Sequence, residues 1–285
     1  MDLSTATIGE KSTAAVALTS WQDHLYVAWT GRDTKLNVMS SPDGRRFSDK
    51  TRLKDRSYRT ETASTMAGST STSTTTTVCL GPTLAGSATG VELAWTGSDG
   101  HVNVALARPG SAPGRLRLVE TSQAAPALAS VGPDLALAWT GTDRHLNLLT
   151  IRREQVSRSV RLEDTSSAAP ALCGVGSVLM VAWSGTDRHL NLLTSRDGAF
   201  GQRVTMDETS HTAPAVCGLG NEIVLAWTGS DRHLNVIVSR GRSLGWPVRL
   251  DEKSSVGPAL CEHRGDLYLA WTGTDYRLNV ARLHL

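Results

Sequence analysis

Short apolar runs separated by turn-forming residues recur along the whole chain. Between positions 214 and 250 these runs cover 214–217, 223–227, 234–238 and 246–250, with Gly, Ser, Asn and Asp at the joins. Runs of this length that are bounded by turn residues predict β-strands. They are nearly continuous rather than alternating, which indicates sheets covered on both faces. The pattern therefore predicts four short antiparallel strands in this segment.

The same segment occurs six times. Each copy contains Ala-Trp-Thr/Ser-Gly-x-Asp and then, after two variable residues, Leu/Val-Asn-Val/Leu. The tryptophans of the six copies are Trp29, Trp95, Trp139, Trp183, Trp227 and Trp271. They are spaced by 44 residues, except for a first interval of 66. A period of this size is typical of stacked supersecondary units, and six four-stranded units predict an all-β fold, a six-bladed β-propeller.

The two termini predict how the ring closes. The sixth copy ends after its third strand, and residues 8–12 resemble residues 250–254, which follow the fourth strand of the fifth copy. We therefore expect residues 2–9 to form the outer strand of the blade that contains Trp271, within one domain spanning 1–285. The long first interval adds a Ser/Thr-rich insertion at about 58–80 between blades one and two. Its low content of apolar side chains predicts a mobile loop.

Composition narrows the classes of partner. The net charge is +2, from 29 basic and 27 acidic residues, which gives no electrostatic case for nucleic acid. The sequence contains no basic and apolar leader and no apolar run long enough to span a bilayer, so we expect no membrane partner. As written it predicts a cytoplasmic protein, secreted only if a leader is removed. The sequence leaves the oligomeric state open.

The cysteines predict buried free thiols. Cys173, Cys217 and Cys261 share one register on successive inner strands, and Cys79 lies in the insertion. Neighbouring blades should hold these positions too far apart for a disulfide, which needs Cα atoms within about 7 Å. We expect no metal site and no cofactor.

Repeated polar residues should collect at one end of the ring. In an up-and-down blade, the turn between the second and third strands and the connection to the next blade lie at the same end. The turn supplies an aspartate with a cation or histidine two residues later, and the connection supplies an acidic residue two positions before a serine. The candidates for ligand binding are Asp99, His101, Asp143, His145, Asp187, His189, Asp231, His233, Asp275 and Arg277, with Glu120 and Glu208 from the connections.

Each repeated residue also has a structural interpretation. Asp-x-His-x-Asn places alternate side chains together and could ligate a metal, but Lys35 and Arg277 replace the histidine in two copies. An aspartate at a tight turn more commonly braces that turn. A tryptophan repeated in every blade packs between sheets or stacks on a sugar.

The repeat resembles the six-bladed lectin and sialidase-like propellers over nearly the whole chain. Residues 41–47, Ser-Pro-Asp-Gly-Arg-Arg-Phe, and 195–200, Ser-Arg-Asp-Gly-Ala-Phe, are similar to the Asp-box of that group, which marks the fold rather than catalysis. A sialidase would need an arginine trio, an acid Asp and a Tyr activated by Glu, and this catalytic set is not found. Resemblance to the fucose-type lectins implies sugar sites between neighbouring blades, built from Arg, an acid and an aromatic.

Two classes of function follow. Copied weak sites gain avidity from simultaneous contacts, so a near-symmetric face favours a carbohydrate-binding module with repeated sites between blades. The alternative is a cofactor-independent hydrolase, cyclase or isomerase with one site at the channel mouth under the insertion. Its candidate catalytic residues are Asp55, Tyr58, Arg59 and Glu61. A protein-binding scaffold is a third possibility, and in the first two cases the partner is a glycan or another small molecule.

Overall fold

A computed structural model describes residues 2–67, 70–107, 110, 112–240 and 243–284 of the chain. These residues form strands and no helix, so the described part of the chain contains no helix that could cross a membrane. The first strand, which lies beside the C-terminus, is β1 (Asp2–Lys11). Blade 1 contains β2 (Ala17–Trp21), β3 (His24–Thr30), β4 (Lys35–Ser41) and β5 (Ser48–Arg56). The insertion contains β6 (Tyr58–Ala67) and β7 (Thr70–Cys79).

The other five blades follow in chain order. Blade 2 contains β8 (Thr83–Gly86), β9 (Val91–Thr96), β10 (His101–Leu106) and β11 (Gly114–Thr121). Blade 3 contains β12 (Ala127–Val131), β13 (Asp134–Thr140), β14 (His145–Arg152) and β15 (Gln155–Thr165). Blade 4 contains β16 (Ala171–Val175), β17 (Val178–Ser184), β18 (His189–Arg196), the short β19 (Ala199–Phe200) and β20 (Val204–Thr209). Blade 5 contains β21 (Ala215–Leu219), β22 (Glu222–Thr228), β23 (His233–Arg240), the short β24 (Ser243–Leu244) and β25 (Val248–Lys253). Blade 6 contains β26 (Ala259–His263), β27 (Asp266–Thr272) and β28 (Arg277–His284).

The fold is the predicted six-bladed β-propeller with antiparallel strands in each blade. The inner strands β2, β8, β12, β16, β21 and β26 contact their neighbours all round the ring. Strand β1 completes blade 6 by pairing with β28, from Asp2 opposite His284 to Lys11 opposite Arg277. The N-terminal strand therefore closes the ring as predicted, because it supplies the outer strand that the sixth copy lacks.

Apolar side chains fill the spaces between blades. Each of six core clusters joins two neighbouring blades and contains one tryptophan of the repeat. These tryptophans are 1–4% exposed. Replacing a buried aromatic of this size by alanine costs about 3–5 kcal/mol, which explains why each copy keeps one. The tryptophans therefore pack between the blades, as the first of the two interpretations predicts. Buried indoles offer no face for stacking on a sugar.

The insertion differs from the expected mobile loop. Strands β6 and β7 pair in an antiparallel hairpin without a register shift, from Tyr58 opposite Cys79 to Ala67 opposite Thr70. Threonine supplies the order, because its β-branched side chain favours extended backbone even where no apolar side chain is buried.

Candidate functional site

Each repeated aspartate closes the turn between the second and third strands of its blade. The Asp143 Oδ1 atom accepts the backbone N–H of His145 at 3.1 Å. The residue between them, Arg144, has a left-handed φ of 67°, and its carbonyl accepts the N–H of Ser166 at 2.9 Å. The same aspartate bond occurs in the other blades between Asp33 and Lys35, Asp99 and His101, Asp187 and His189, Asp231 and His233, and Asp275 and Arg277. We call the end of the ring that carries these turns the turn face.

The repeated histidines tie the third strand to the outer strand. In four blades the ring Nδ1 lies 2.8–3.1 Å from a backbone carbonyl, and the pairs are His101 with Leu118, His145 with Leu162, His189 with Met206 and His233 with Leu250. A carbonyl oxygen only accepts, so Nδ1 carries the proton and Nε2 is left as an acceptor in the neutral ring. These contacts brace the register shift where third and outer strands separate.

Arginines on the outer strands hold the second carboxylate oxygen in several blades. The pairs are Arg117 with Asp99 at 2.8 Å, Arg161 with Asp143 at 2.9 Å and Arg249 with Asp231 at 2.9 Å. Hydrogen bonds from these guanidinium groups lower the pKa of each carboxyl below its usual value. In blades 4 and 6 the corresponding outer-strand residues are Thr205 and Thr7, which instead donate to Asn191 at 2.7 Å and to Asn279 at 2.9 Å.

The serines of the blade connections are buried, which corrects the expected array of hydroxyls on the turn face. Ser122 is 2% exposed, and its Oγ donates to the carbonyl of Thr140 at 2.8 Å and accepts the backbone N–H of Ala124 at 3.1 Å. Thr140 in turn donates to the carbonyl of Ala168 in the next connection at 2.7 Å. Equivalent hydroxyl bonds occur around the ring at Thr30, Thr96, Ser184, Thr228 and Thr272. Hydrogen bonds from these hydroxyls therefore link neighbouring blades.

The acidic residues of the connections fall into two groups. Three pair with a base on the outer strand of the next blade, namely Glu10 with Lys50, Asp55 with Arg115 and Asp164 with Arg203. At the corresponding base position the other three blades carry Ser159, Pro247 and Thr5. Glu120, Glu208 and Glu252 consequently have no ion-pair partner among the described residues. The assignment of Glu120 and Glu208 to ligand binding, like that of the turn-face Asp and His residues, stays a prediction.

Three of the four candidate catalytic residues, Asp55, Arg59 and Glu61, lie in ion pairs near the base of the hairpin. Asp55 accepts both terminal nitrogens of Arg115, at 2.7 and 2.8 Å. Arg59 binds Glu61 and donates to the carbonyl of Gln123 at 2.5 Å. The residues that line the central channel do not include Asp55, Tyr58, Arg59 or Glu61. The base of the insertion therefore contacts the connection that leads into blade 3, and the enzymatic alternative stays a prediction.

Inner strands enclose the central channel. Alanine and proline residues such as Pro126 and Pro170 narrow it at the turn face, and at the opposite face it widens to about 740 Å³. Cys173, Cys217 and Cys261 lie in the wall of the wide part as free thiols. Burial raises the pKa of the Cys261 thiol above its usual value. No group of three His, Cys, Asp or Glu side chains in the described residues is arranged to hold a metal ion.

A polar pocket of about 610 Å³ opens between blades 3 and 4, at the face opposite the turn face. Its polar wall includes an ion pair in which Arg152 donates from Nε and Nη2 to the two carboxylate oxygens of Asp134, at 2.8 and 2.5 Å. This bidentate bond lowers the pKa of Asp134. The Asp134 side chain is 12% exposed and the Arg152 side chain 63%, and both line the pocket, so the guanidinium N–H groups that Asp134 does not bind are accessible to a ligand.

The rest of this pocket combines hydroxyls with a second arginine and an apolar wall. Hydroxyls come from Thr150, Ser157, Ser177 and Ser195, the second guanidinium from Arg158, and the apolar wall from Val131, Pro133, Ala136 and Leu179. Arg158 lies across Gly198, where an added Cβ would come within 2.2 Å of its Nη1 atom. Gly198 also has a φ of 81°, a left-handed backbone conformation that favours glycine there.

Sequence reasoning missed this pocket because its residues do not repeat. The side chain three positions before each motif tryptophan is Tyr26, Glu92, Ala136, Met180, Val224 or Tyr268. This variety conceals that five of them, all except Glu92, lie at an interface between blades. The usable signal was an acid and an arginine at the ends of paired strands, Asp134 and Arg152. An equivalent cleft of about 410 Å³ between blades 1 and 2 is lined mainly by apolar side chains, among them Tyr26, Val91 and Ala107.

Comparison with known proteins finds similarity in structure but not in sequence. No family model matches the chain. No curated protein matches it in sequence either. Among solved structures, Aleuria aurantia lectin in complex with Fucα1-6GlcNAc is similar with a TM-score of 0.64 and 11% identity, over 97% of this chain and 93% of that one. AofleA from Arthrobotrys oligospora has a TM-score of 0.70 and 11% identity, over 100% and 87%.

A bacterial protein shows the same likeness. BP39L lectin from Burkholderia pseudomallei has a TM-score of 0.65 and 16% identity, over 94% of this chain and 80% of that one. The fold of Aleuria aurantia lectin is described as a six-bladed β-propeller. At these identities the comparisons show a shared fold and leave the binding residues to be argued from this chain.

Proposed function

We propose that this propeller binds carbohydrate in the pocket between blades 3 and 4. The observation that carries the proposal is the bidentate Asp134–Arg152 pair facing a cavity lined by hydroxyls. A sugar hydroxyl is both donor and acceptor, so recognition needs acceptors such as the carboxylate and donors such as the guanidinium. The volume lies within the range of about 300–1,000 Å³ that ligand pockets occupy.

The apolar wall supports the same ligand class. Sugar rings present a face of C–H groups, and Ala136 and Leu179 offer a surface of matching chemistry. The pocket lies between blades, as the resemblance to lectin propellers implies. Fucosylated glycans are the first ligands to test, because the structurally similar Aleuria aurantia lectin was solved with Fucα1-6GlcNAc.

We also infer an Asp-box-like turn at residues 41–47. Asp43 Oδ1 accepts the backbone N–H groups of Arg46 and Arg45 at 3.0 and 2.8 Å, and these bonds lower the pKa of Asp43 to about 2. The second match is different, because Asp197 and Gly198 form a two-residue turn with φ values of 51° and 81° between β18 and β19. The likeness to sialidase-type propellers thus rests on the first turn, as a marker of fold.

A glycan array followed by isothermal titration tests the proposal. Arg152→Met removes charge-assisted hydrogen bonds worth about 1.5–3 kcal/mol, so the dissociation constant should rise about 10- to 100-fold. Arg161→Met is the matched control, because Arg161 is a half-exposed arginine of the same blade that pairs with Asp143 on the turn face. It should leave binding unchanged.

Other outcomes have defined meanings. Binding that is lost in Arg161→Met and His145→Ala, and kept in Arg152→Met, would move the site to the turn face that the repeat predicts. Several equivalent sites per chain would likewise favour the repeated sites. An intact chain that binds no glycan would contradict the proposal.

A further inference from the structure

The hairpin of β6 and β7 projects from the ring with neither face covered. Residues 61–64 and 71–77 are exposed, whichever side of the hairpin their side chains lie on. Its foot is fixed, because Leu80 N–H donates to the Ser57 carbonyl at 3.2 Å and Arg59 donates to the Gln123 carbonyl. The hairpin is therefore a separate two-stranded sheet that is tied to the ring at its base.

Isolated two-stranded hairpins are marginally stable in water, and each has two unpaired edges. Here cross-strand hydroxyl pairs add order, at 3.4 Å between Thr62 and Thr75 and at 3.0 Å between Ser64 and Ser73. Hydroxyl contacts on a solvated surface contribute little to the stability of the hairpin. A further strand along one edge would satisfy the outward backbone groups and stabilise the hairpin.

The edges of the blades differ from the edge of β7. Every outer strand of a blade has a register shift that interrupts its pairing and carries basic side chains or a charged end, both of which block edge-to-edge association. Strand β7, Thr-Ser-Thr-Ser-Thr-Thr-Thr-Thr-Val-Cys, contains no charge and no proline, and its pairing has no shift. The protective features present in all six blades are missing from this strand.

We propose that β7 pairs antiparallel with β7 of a second copy of this chain, so that two hairpins form one four-stranded sheet around a two-fold axis. Self-pairing is favoured because it places threonine and serine opposite themselves, with no charge to select a different partner. Strand β6 is the other edge, and its Arg59–Glu61 pair makes it the less suitable one.

Such an interface is small. Two hairpins bury less than the roughly 1,200 Å² of a standard stable complex, so the dimer should form and dissociate with concentration. Its dissociation constant should lie in the micromolar range, between about 1 and 100 μM.

Sedimentation velocity over about 1–500 μM tests the proposal, because this range brackets the expected dissociation constant. The intact chain should shift from one copy to two as its concentration rises. Thr74→Lys with Thr76→Lys places like charges across the two-fold axis and should keep the protein monomeric throughout. Thr60→Lys with Thr62→Lys, on β6, adds the same charge to the same hairpin and should leave the dimer in place.

A covalent readout gives independent support. In the pairing we propose, Thr75 lies opposite its own copy on the two-fold axis, near the middle of β7. In Thr75→Cys the two thiols should therefore form a disulfide between copies when oxidised glutathione accepts their two electrons and is reduced to two thiols. The intact chain, which already contains Cys79, is the background. A chain that stays monomeric over the whole range, or a dimer that survives the β7 lysines, would overturn the proposal.

Discussion

The interfaces between blades 3 and 4 and between blades 6 and 1 contain the same kind of ion pair but differ in their packing. Asp134 pairs with Arg152 in the first and Asp266 with Arg282 in the second, and both aspartates lie five residues before a motif tryptophan. Three residues before that tryptophan stands Ala136 in one blade and Tyr268 in the other. The first interface encloses a pocket of about 610 Å³ beside Ala136.

Tyr268 fills the corresponding space in the second interface. It is 7% exposed and packs against the turn at Gly44, where an added Cβ would come within 2.4 Å of its ring. Two buried polar atoms in the described part of the chain, His263 Nε2 and Arg282 Nε, lack hydrogen-bond partners, and both residues belong to blade 6. In these two interfaces, the side chain three positions before the tryptophan decides whether the ion pair is part of the packing or is available to a ligand.

The largest effect on stability should come from removing the Tyr268 side chain, which fills the interface between blades 6 and 1. Tyr268→Ala removes a buried aromatic side chain and should lower the free energy of unfolding by about 3–5 kcal/mol, measured by urea denaturation. Tyr276→Ala is the control, since that side chain is 51% exposed, and it should change stability by less than about 0.5 kcal/mol. Equal losses in the two variants would contradict the packing described for Tyr268.

Filling the open interface is the reverse experiment. Ala136→Tyr should occupy the pocket between blades 3 and 4 and weaken sugar binding by more than about 100-fold, with a stability cost of about 1–3 kcal/mol. Titration calorimetry measures the first effect and urea denaturation the second. Ala136→Ser, which barely changes the volume, should bind normally. Full affinity in Ala136→Tyr would place the sugar elsewhere.

Lowering the pH should weaken sugar binding in the pocket between blades 3 and 4 by protonating Asp134. The hydrogen bond from Arg152 lowers the pKa of Asp134 below its ordinary value of 3.8, so the ion pair is fully present above that pH. The stability it provides should be lost as pH falls through the lowered folded-state pKa. Sugar affinity should thus be constant from about pH 5 to pH 8 and decline only below 3.8. A midpoint near neutral pH would indicate a histidine, and hence the turn face.

The smallest effect should come from a single hydroxyl of the pocket. Ser177→Ala should weaken binding by about 0.5–1.5 kcal/mol, or two- to twelvefold, because one neutral hydrogen bond is lost. Ser98→Ala, at an exposed position on the turn face, is the matched control and should bind as the intact chain does. Calorimetry under one buffer condition resolves the difference. An effect of Ser98→Ala equal to that of Ser177→Ala would argue against the pocket.

Repetition made the fold predictable. The 44-residue spacing of the tryptophans, the apolar runs and the match between residues 8–12 and 250–254 predicted the number of blades, their four strands and the N-terminal closure. The prediction of a mobile loop for the insertion was wrong, because it rested on the low content of apolar side chains. The β-branched threonines of 70–77 favour extended, paired backbone even where no apolar side chain is buried.

Which residues repeat can be read from the amino-acid sequence, whereas the role of each repeated residue depends on how the blades pack against one another. Ser122 and its equivalents looked like surface hydroxyls but are buried, because the connection turns inward to bind the neighbouring blade. The pocket beside Arg152 depends on two side chains 18 residues apart and on the wall of another blade. A repeat records the contacts that every blade must make, whereas a binding pocket forms where one blade departs from the repeat and its neighbour leaves the space open.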